Sequence, residues 1–298
     1  MTLIGLIPLH PLPICHNDVQ PCHCLCVSSL FVGLHAQYVP GCVPEYVPGE
    51  DGTYAQNYQD VWFESLAHQN DWLPNATGFY LDLGAFMPLE CSNSAKLDLM
   101  YSWDGIVVEP RADMGFQEYR PRAVEVNRAM SGISGRSVYM GGPGGQLFHI
   151  LKDTTDAASK RSQQTVKTIN ARDLISCVNS TAPPDADCSG VHGTRFVPEF
   201  INLVSMDIEG SEADLLQTWP WDLVEVGVFI IETGAGLSSK LACNSNCKEV
   251  RRIMQEQGYI SVPVQNAGVD EYFVPMKYSY QSIMIKDWRV HPDDSHGC

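Results

Sequence analysis

The chain has 298 residues, and 44% of them are apolar, so it is long enough for one large domain or two small ones with a buried core. Its formal net charge is −16, a field that repels phosphate backbones and argues against a general nucleic-acid binder. No apolar run reaches the ~18 residues that a membrane-spanning helix needs. These properties indicate a globular protein without a membrane span, and the acidic balance suits a cationic ligand.

The first fifty residues differ from the rest of the chain. Residues 1–52 are rich in Pro and Cys and show little periodicity, which predicts a poorly ordered leader. The cysteines at 15, 22, 24 and 26 do not have the paired spacing of a standard zinc site. The segment also lacks the basic start of a signal peptide, so the sequence favours a cytoplasmic location and leaves the secretory pathway open.

After the leader, the hydrophobic pattern alternates between strands and helices. This alternation predicts one α/β domain over residues 53–290, with a doubly wound, mostly parallel sheet, and a short tail at 291–298. Residues 131–165 give no clear pattern, and 181–193 indicate an exposed loop. The expected elements, in chain order, are a helix from about 58, strand 79–83, helix 91–101, strand 106–108, helix 113–119, strand 124–126, helix 171–177, strand 201–206, helix 211–219, strand 226–231, helix 248–257, and late strands at 259–260, 272–274 and 282–285.

Two cysteine pairs in this domain are close enough along the chain to form small disulfide loops. They are Cys177 with Cys188 and Cys243 with Cys247. Either bond would require an oxidising compartment. The sequence alone leaves open whether they form.

Acidic residues follow four of the predicted strands, at Asp82-x-Gly84, Glu109, Asp207-x-Glu209 and Glu232. In open α/β sheets, ligands bind beyond the carboxyl ends of the strands. A glycine at such a turn lets the backbone approach a ligand closely, and a carboxylate at Glu109 is placed to accept hydrogen bonds from a ribose. The turn has one glycine where a dinucleotide fingerprint has three, which argues against a nicotinamide-dependent enzyme.

The segment from Asp207 to Glu212 has two interpretations. In the first, the acidic residues only stabilise the positive end of the following helix. Ser211 and Asp214 are then placed for a start that resembles a capping box. In the second, its carboxylates deprotonate an acceptor hydroxyl, hold a metal ion or position a substrate.

Six segments, taken in order, resemble the FkbM-type methyltransferases over about residues 54–274. Each segment is unspecific alone, but the ordered set is fairly specific. The segments are Gln56-Asn57-Tyr58-Gln59-Asp60, Phe79-Tyr80-Leu81-Asp82-Leu83-Gly84-Ala85, Ser92-Asn93-Ser94, Gly105-Ile106-Val107-Val108-Glu109-Pro110, Asn127-Arg128-Ala129 and Asp207-Ile208-Glu209-Gly210-Ser211-Glu212.

This resemblance implies a Rossmann-like class I methyltransferase fold and S-adenosyl-L-methionine (SAM) as the cofactor. It implies that Asp207 and Glu209 face the acceptor. The residues implied to contact the cofactor are Asp82, Gly84 and Ala85 beside the methionine part, Asn93 near the same end and Glu109 at the ribose.

The expected reaction is O-methylation of a hydroxyl on a small molecule or glycan. Asp207 or Glu209 is expected to be the base, with His68 a weaker candidate. A divalent metal held by Asp207, Glu209 and Glu232 is an alternative, and the oligomeric state is not predicted.

Two segments depart from the family's pattern: Phe86-Met87-Pro88 stands where the family often has Asp-Gly, and Ser131-Gly132 where it often has Ser-Asp. A non-catalytic interaction module of the same fold is therefore one alternative. A nucleotide-sugar or nicotinamide-dependent enzyme is a second alternative.

Overall fold

The computed structural model describes residues 53–70, 72–73, 77–112, 114–141, 149–150, 164–234, 243–264 and 268–277. The leader at 1–52, the strand expected at 282–285 and the tail at 291–298 lie outside these ranges. The expectations for those segments therefore stay predictions.

The described residues contain two sheets. The larger has eight strands in the order β11-β12-β10-β9-β1-β2-β3-β8, and the smaller has four in the order β4-β7-β5-β6. The strands are β1 Phe79–Leu83, β2 Asp104–Val108, β3 Ala123–Val126, β4 Ala129–Met130, β5 Ser137–Gly141, β6 His149–Ile150, β7 Gln164–Ile169, β8 Val191–His192, β9 Phe200–Met206, β10 Glu225–Glu232, β11 Tyr259–Val262 and β12 Asp270–Pro275. The helices are α1 Gln59–Gln69, α2 Ala95–Tyr101, α3 Phe116–Tyr119, α4 Ala171–Val178, α5 Glu212–Gln217 and α6 Ser245–Glu256.

Strand β1 lies at the centre of the larger sheet. All five of its residues are buried, as expected for a parallel strand covered on both faces. It pairs in parallel with β2 on one side and with β9 on the other. Strands β10, β9, β1, β2 and β3 form a parallel core, while β12, β11 and β8 add antiparallel edges. The mostly parallel α/β architecture agrees with the sequence-based expectation.

Helix α2 begins four residues later than the pattern indicates, at Ala95 instead of Cys91. Cys91 has a left-handed backbone (φ 56°), and the Ser92 hydroxyl accepts the N–H of Ala95. The segment before the helix is therefore a turn held by its own serine. Helix α3 starts late for a similar reason, because Gly115 before it also has a left-handed backbone (φ 64°).

The smaller sheet overlaps residues 131–165, the region whose sequence pattern is unclear. Its strands β4 and β6 have two residues each, which is too short for a periodicity to be detected. Strand β8, also of two residues, lies in the segment that was expected to be an exposed loop, where it pairs with β3.

Both expected cysteine pairs form disulfides in the structure. Cys177 of α4 bonds Cys188, and Cys243 bonds Cys247 of α6, each with a Cα–Cα distance of 5.4 Å. In the part of the chain that the structure describes, no helix has the length and apolarity needed to cross a bilayer.

Candidate functional site

A cavity of about 370 Å³ lies at the carboxyl ends of β1, β2, β3 and β9. This volume falls within the ~300–1,000 Å³ that is typical of small-molecule sites. All seven residues that the sequence predicts for the site line the cavity. They are Asp82, Gly84, Ala85, Asn93, Glu109, Asp207 and Glu209.

Gly84 brings the first turn close to the neighbouring strand. Its backbone is left-handed (φ 85°), and its N–H donates to the carbonyl of Val108 at the end of β2 (2.9 Å). A Cβ at this position would lie 1.7 Å from the carbonyl oxygen of Asp207, so only glycine fits. The turn after β1 is thus in contact with the ends of both β2 and β9.

Asp82 is buried at the base of the cavity and its carboxylate is already bonded within the protein. Oδ2 accepts the hydroxyls of Ser94 and Ser92, and Nη1 of the fully buried Arg120 lies 3.6 Å away. Arg120 also donates to both serine hydroxyls, at 3.1 and 2.7 Å. The serines and the arginine fix the orientation of Asp82 and of the turn that carries Asn93. From that turn, Asn93 donates to the hydroxyl of Ser205 on β9 (2.9 Å).

Glu109 joins the turns that follow β1 and β2. Its carboxylate accepts the N–H of Phe86 (3.0 Å) and Nε of Arg111 (2.9 Å). The guanidinium of Arg111 lies 4.9 Å from the centre of the Phe86 ring. Burial raises the pKa of Glu109 above its ordinary value, and the neighbouring Arg111 opposes that shift. Glu109 therefore reaches the cavity as a carboxylate with bonds to both turns.

Acidic side chains gather where β9 and β10 end and where the antiparallel β12 begins. Asp207 follows β9, Glu232 ends β10, and Glu232 is paired in register with Asp270 of β12. Asp207 is exposed and lines the cavity, although protein surrounds much of its carboxyl. This enclosure, then the hydrogen-bonded carboxyl of Glu232, raises the pKa of Asp207 well above its ordinary value. A proton retained on Asp207 relieves the repulsion between neighbouring carboxyls.

Two further carboxyls around this pair have raised pKa values. Partial burial, and then the charge of Glu232, raises the pKa of Glu209 to about 7. Burial raises the pKa of Asp270 to about 7, although Gln59 donates a hydrogen bond to it (2.7 Å). Both groups thus titrate close to neutral pH, where proton transfer by a carboxyl is most effective.

The loop that carries Asp207 and Glu209 is held from below by Glu212. Oε1 of this buried residue accepts the N–H groups of Ile208 (3.1 Å) and Gly210 (3.0 Å). Ser211 makes no side-chain hydrogen bond at the helix start, so the expected capping box with Asp214 is wrong. Glu209 has a left-handed backbone (φ 56°), a conformation that costs energy for a residue other than glycine and is enriched at functional sites.

Several residues around the cavity were not predicted to be site residues, although Gln56, Phe86 and Arg128 lie in segments that were compared with the family's pattern. Asp270 had a detectable signal, because an antiparallel strand begins at the edge where its parallel neighbours end. The others lie in turns or short strands, whose positions the neighbouring sequence does not indicate. These further lining residues are Gln56, Phe86, Arg111, Arg128, Met130, Met140 and Ser205.

Two weaker expectations do not fit the geometry. His68 is exposed near the end of α1, beside Tyr101, and does not line the cavity. Among the described residues, no three His, Cys, Asp or Glu side chains form a group suited to a metal ion. The arrangement of Asp207, Glu209 and Glu232 therefore gives no support to a shared metal.

One of the comparisons with known proteins identifies a family. The family described as "Methyltransferase FkbM domain" matches residues 82–261, well over half of the chain. No curated protein and no solved structure matches the chain significantly. The matched range starts at Asp82 and includes the other six predicted site residues. The chain belongs to the FkbM methyltransferase family.

Proposed function

We propose that this methyltransferase has a Rossmann-like class I fold, uses SAM, and methylates a hydroxyl of a small molecule or glycan. The observation that carries the proposal is the convergence of seven residues, from four separate segments, on one cavity at the carboxyl ends of the central strands. The cavity at the ends of β1, β2 and β9 has the volume of a small-molecule site, about 370 Å³.

The residues present fit such a cofactor. Gly84 lines the cavity at this tight turn and carries no side chain, so a ligand can lie directly against the backbone there. Glu109 presents a carboxylate at the end of β2, where it is suited to accept hydroxyl hydrogens from a ribose. Asp82 and Asn93 line the part of the cavity nearest Ser205. When bound, SAM supplies an electrophilic methyl group on a sulfonium.

The acidic residues next to β9 and β10 suit the acceptor side. An alkyl hydroxyl is a weak nucleophile, so a nearby base assists the transfer. Asp207 accepts the hydroxyl proton once it is itself deprotonated, and Glu209 is the second candidate for that role. The pKa of Glu209 is raised to about 7, and that of Asp207 is raised well above its ordinary value. The rest of the catalytic effect comes from alignment of donor and acceptor.

The variant Asp207→Asn tests this assignment. Calorimetry with S-adenosylhomocysteine is expected to give the wild-type dissociation constant, because the change keeps the side-chain shape. Methyl transfer to a panel of hydroxylated acceptors is expected to fall about 100-fold or more. Wild-type methylation by this variant would remove Asp207 as the base, and Glu209→Gln would then be tested in the same way.

One observation favours the alternative of a non-catalytic module. The Glu109 carboxylate is already bonded to Phe86 and Arg111, so a ribose has to share it. Calorimetry of the wild-type chain with SAM and with S-adenosylhomocysteine separates the two proposals. Binding of neither ligand would support the interaction module and contradict the enzyme.

A further inference from the structure

Arg128 is a buried cation in the wall of the cavity, just after β3. Its side chain is 3% exposed and is held by a loop on the outer side of this wall. Nε donates to the carbonyl of Ser189 (2.6 Å), and Nη2 donates to the Ser189 hydroxyl (2.7 Å) and to Oδ1 of Asp187 (2.8 Å). These bonds fix the plane of the guanidinium.

One end of this guanidinium has no role within the protein. Nη1 of Arg128 makes no hydrogen bond to any residue that the structure describes, whereas Nε and Nη2 make several. This Nη1 donor belongs to a residue that lines the cavity, so it is available to a ligand that accepts its hydrogen. Asp187 pairs with Arg128 through Oδ1 and with Lys167 through Oδ2, so it offsets part of the guanidinium charge.

The neighbouring wall is apolar and suits a flat ring. Ala129, Met130 and Met140 line the cavity next to Arg128, and methionine sulfur makes favourable contacts with aromatic rings. The face of a guanidinium also stacks on such rings. A purine offers in addition ring nitrogens that accept hydrogen bonds in its plane.

The loop that holds Arg128 is itself fixed at both ends. Cys188 is bonded to Cys177 of α4, and Gly190 accepts the N–H of Asn127 (2.8 Å). Asp187 and Ser189, the two residues that bind the guanidinium, are the immediate neighbours of Cys188. The disulfide thus anchors these contacts to the body of the domain.

We propose that Arg128 is a ligand-binding residue, that its Nη1 donates a hydrogen bond to a ring nitrogen of the cofactor's adenine, and that the Cys177–Cys188 disulfide keeps it in position. This inference rests on the proposed use of SAM. It adds an assigned donor at the adenine end and makes cofactor affinity dependent on a disulfide that lies outside the cavity lining.

The first experiment measures binding of S-adenosylhomocysteine and of its 1-, 3- and 7-deaza forms, in which one ring nitrogen is replaced by CH. Wild type and Arg128→Met are compared by calorimetry, well below the melting temperature of each. The variant is expected to bind the parent ligand about tenfold more weakly. For one deaza ligand, wild type and variant are expected to bind with equal affinity, because that ligand lacks the ring nitrogen that accepts the Arg128 hydrogen bond.

The second experiment compares Cys177→Ser/Cys188→Ser with the matched control Cys243→Ser/Cys247→Ser. The first pair is expected to weaken binding of S-adenosylhomocysteine severalfold, and the control to leave it unchanged. Equal binding by both pairs would overturn the role of the disulfide. The role of Arg128 would be overturned if Arg128→Met bound the parent ligand as tightly as wild type does. It would also be overturned if Arg128→Met weakened the binding of all three deaza ligands as much as that of the parent ligand. Failure of the wild type to bind any of these ligands would overturn the proposed cofactor as well.

Discussion

The backbone of Gly84 contacts the backbone of Asp207 so closely that a Cβ on Gly84 would lie 1.7 Å from the Asp207 carbonyl oxygen. The N–H of Asp207 also donates to the carbonyl of Leu83 (2.9 Å). The turn proposed to hold the cofactor and the residue proposed as the base are thus parts of one rigid contact. A change at Gly84 is expected to disturb both.

The variant Gly84→Ala tests this contact. The clash is with backbone, so the strand ends must separate, and both thermal stability and S-adenosylhomocysteine binding are expected to fall markedly. Gly115→Ala is the control, because Gly115 also has a left-handed backbone (φ 64°) but nothing within 4 Å of an added Cβ. The control is expected to lose only about 1 kcal/mol of stability and no binding. Equal effects of the two changes would show that backbone strain, and not the contact with Asp207, decides the outcome.

A second prediction concerns the pH dependence of methyl transfer. The base acts when deprotonated, so the rate rises with pH through its pKa. Glu232 raises the pKa values of both Asp207 and Glu209, so Glu232→Gln is expected to move this rise to lower pH, by on the order of one unit. This shift is measured from the pH profile of the methyl-transfer rate at saturating acceptor. Glu249→Gln on α6, which lies outside the cavity lining, serves as control, and a profile unchanged by Glu232→Gln would contradict the effect of Glu232 on the base.

A third prediction concerns the stability cost of Asp270. Its folded pKa of about 7 lies above the ordinary 3.8, so between these values the folded chain holds a proton that the unfolded chain releases. This group therefore favours folding at low pH, and its contribution is lost as the pH rises from about 4 to about 7. Asp270→Asn keeps an acceptor for Gln59 and is expected to exceed wild type in stability by about 1–3 kcal/mol at pH 8. The difference is expected to shrink at pH 5.

Urea unfolding at the two pH values measures this difference. The exposed Asp214→Asn on α5 is the control and is expected to keep the pH dependence of the wild type. A difference between wild type and Asp270→Asn that stays constant with pH would contradict a raised pKa at this position.

A fourth prediction concerns the fully buried Arg120. Arg120→Met leaves the buried carboxylates of Asp82 and Asp98 without their cation, which is expected to cost about 3–5 kcal/mol in unfolding free energy. Arg122→Met is the control, because Arg122 pairs with Asp104 at the surface and is expected to contribute at most about 1 kcal/mol. Chemical denaturation compares the two. Equal losses would contradict the view that the Arg120 contacts hold the base of the cavity.

The strand ends were the part of the site that the sequence could predict. A run such as Phe79 to Leu83 is apolar throughout and stops at a glycine, and Asp207 follows a similar run, so both could be placed at the edge of a parallel sheet. The helix start at Ala95 could not be placed, because it depends on the contacts of Ser92 with Asp82 and Arg120, which are distant in sequence.

The roles of Arg128 and Arg111 could not be predicted from the sequence, although Arg128 lies in the Asn127-Arg128-Ala129 segment that resembles the family. The wall formed by Arg128 depends on a loop about sixty residues later in the chain, and its two-residue strand leaves no periodic signal. Arg111 looked like an ordinary residue after a strand, and only the folded geometry places its guanidinium against Phe86. Contacts between residues this far apart in the chain cannot be predicted from the local pattern of the sequence.

The central position of β1 between β2 and β9 has a consequence for synthesis of the chain. The partner on one side is complete by Val108, but the partner on the other begins only at Phe200. During translation, one edge of β1 therefore stays without its strand while more than ninety further residues are made. Such non-local pairing slows folding, and an unpaired apolar edge promotes aggregation. Fragments that end before β9 are expected to need chaperones, whereas the complete chain closes its own edge.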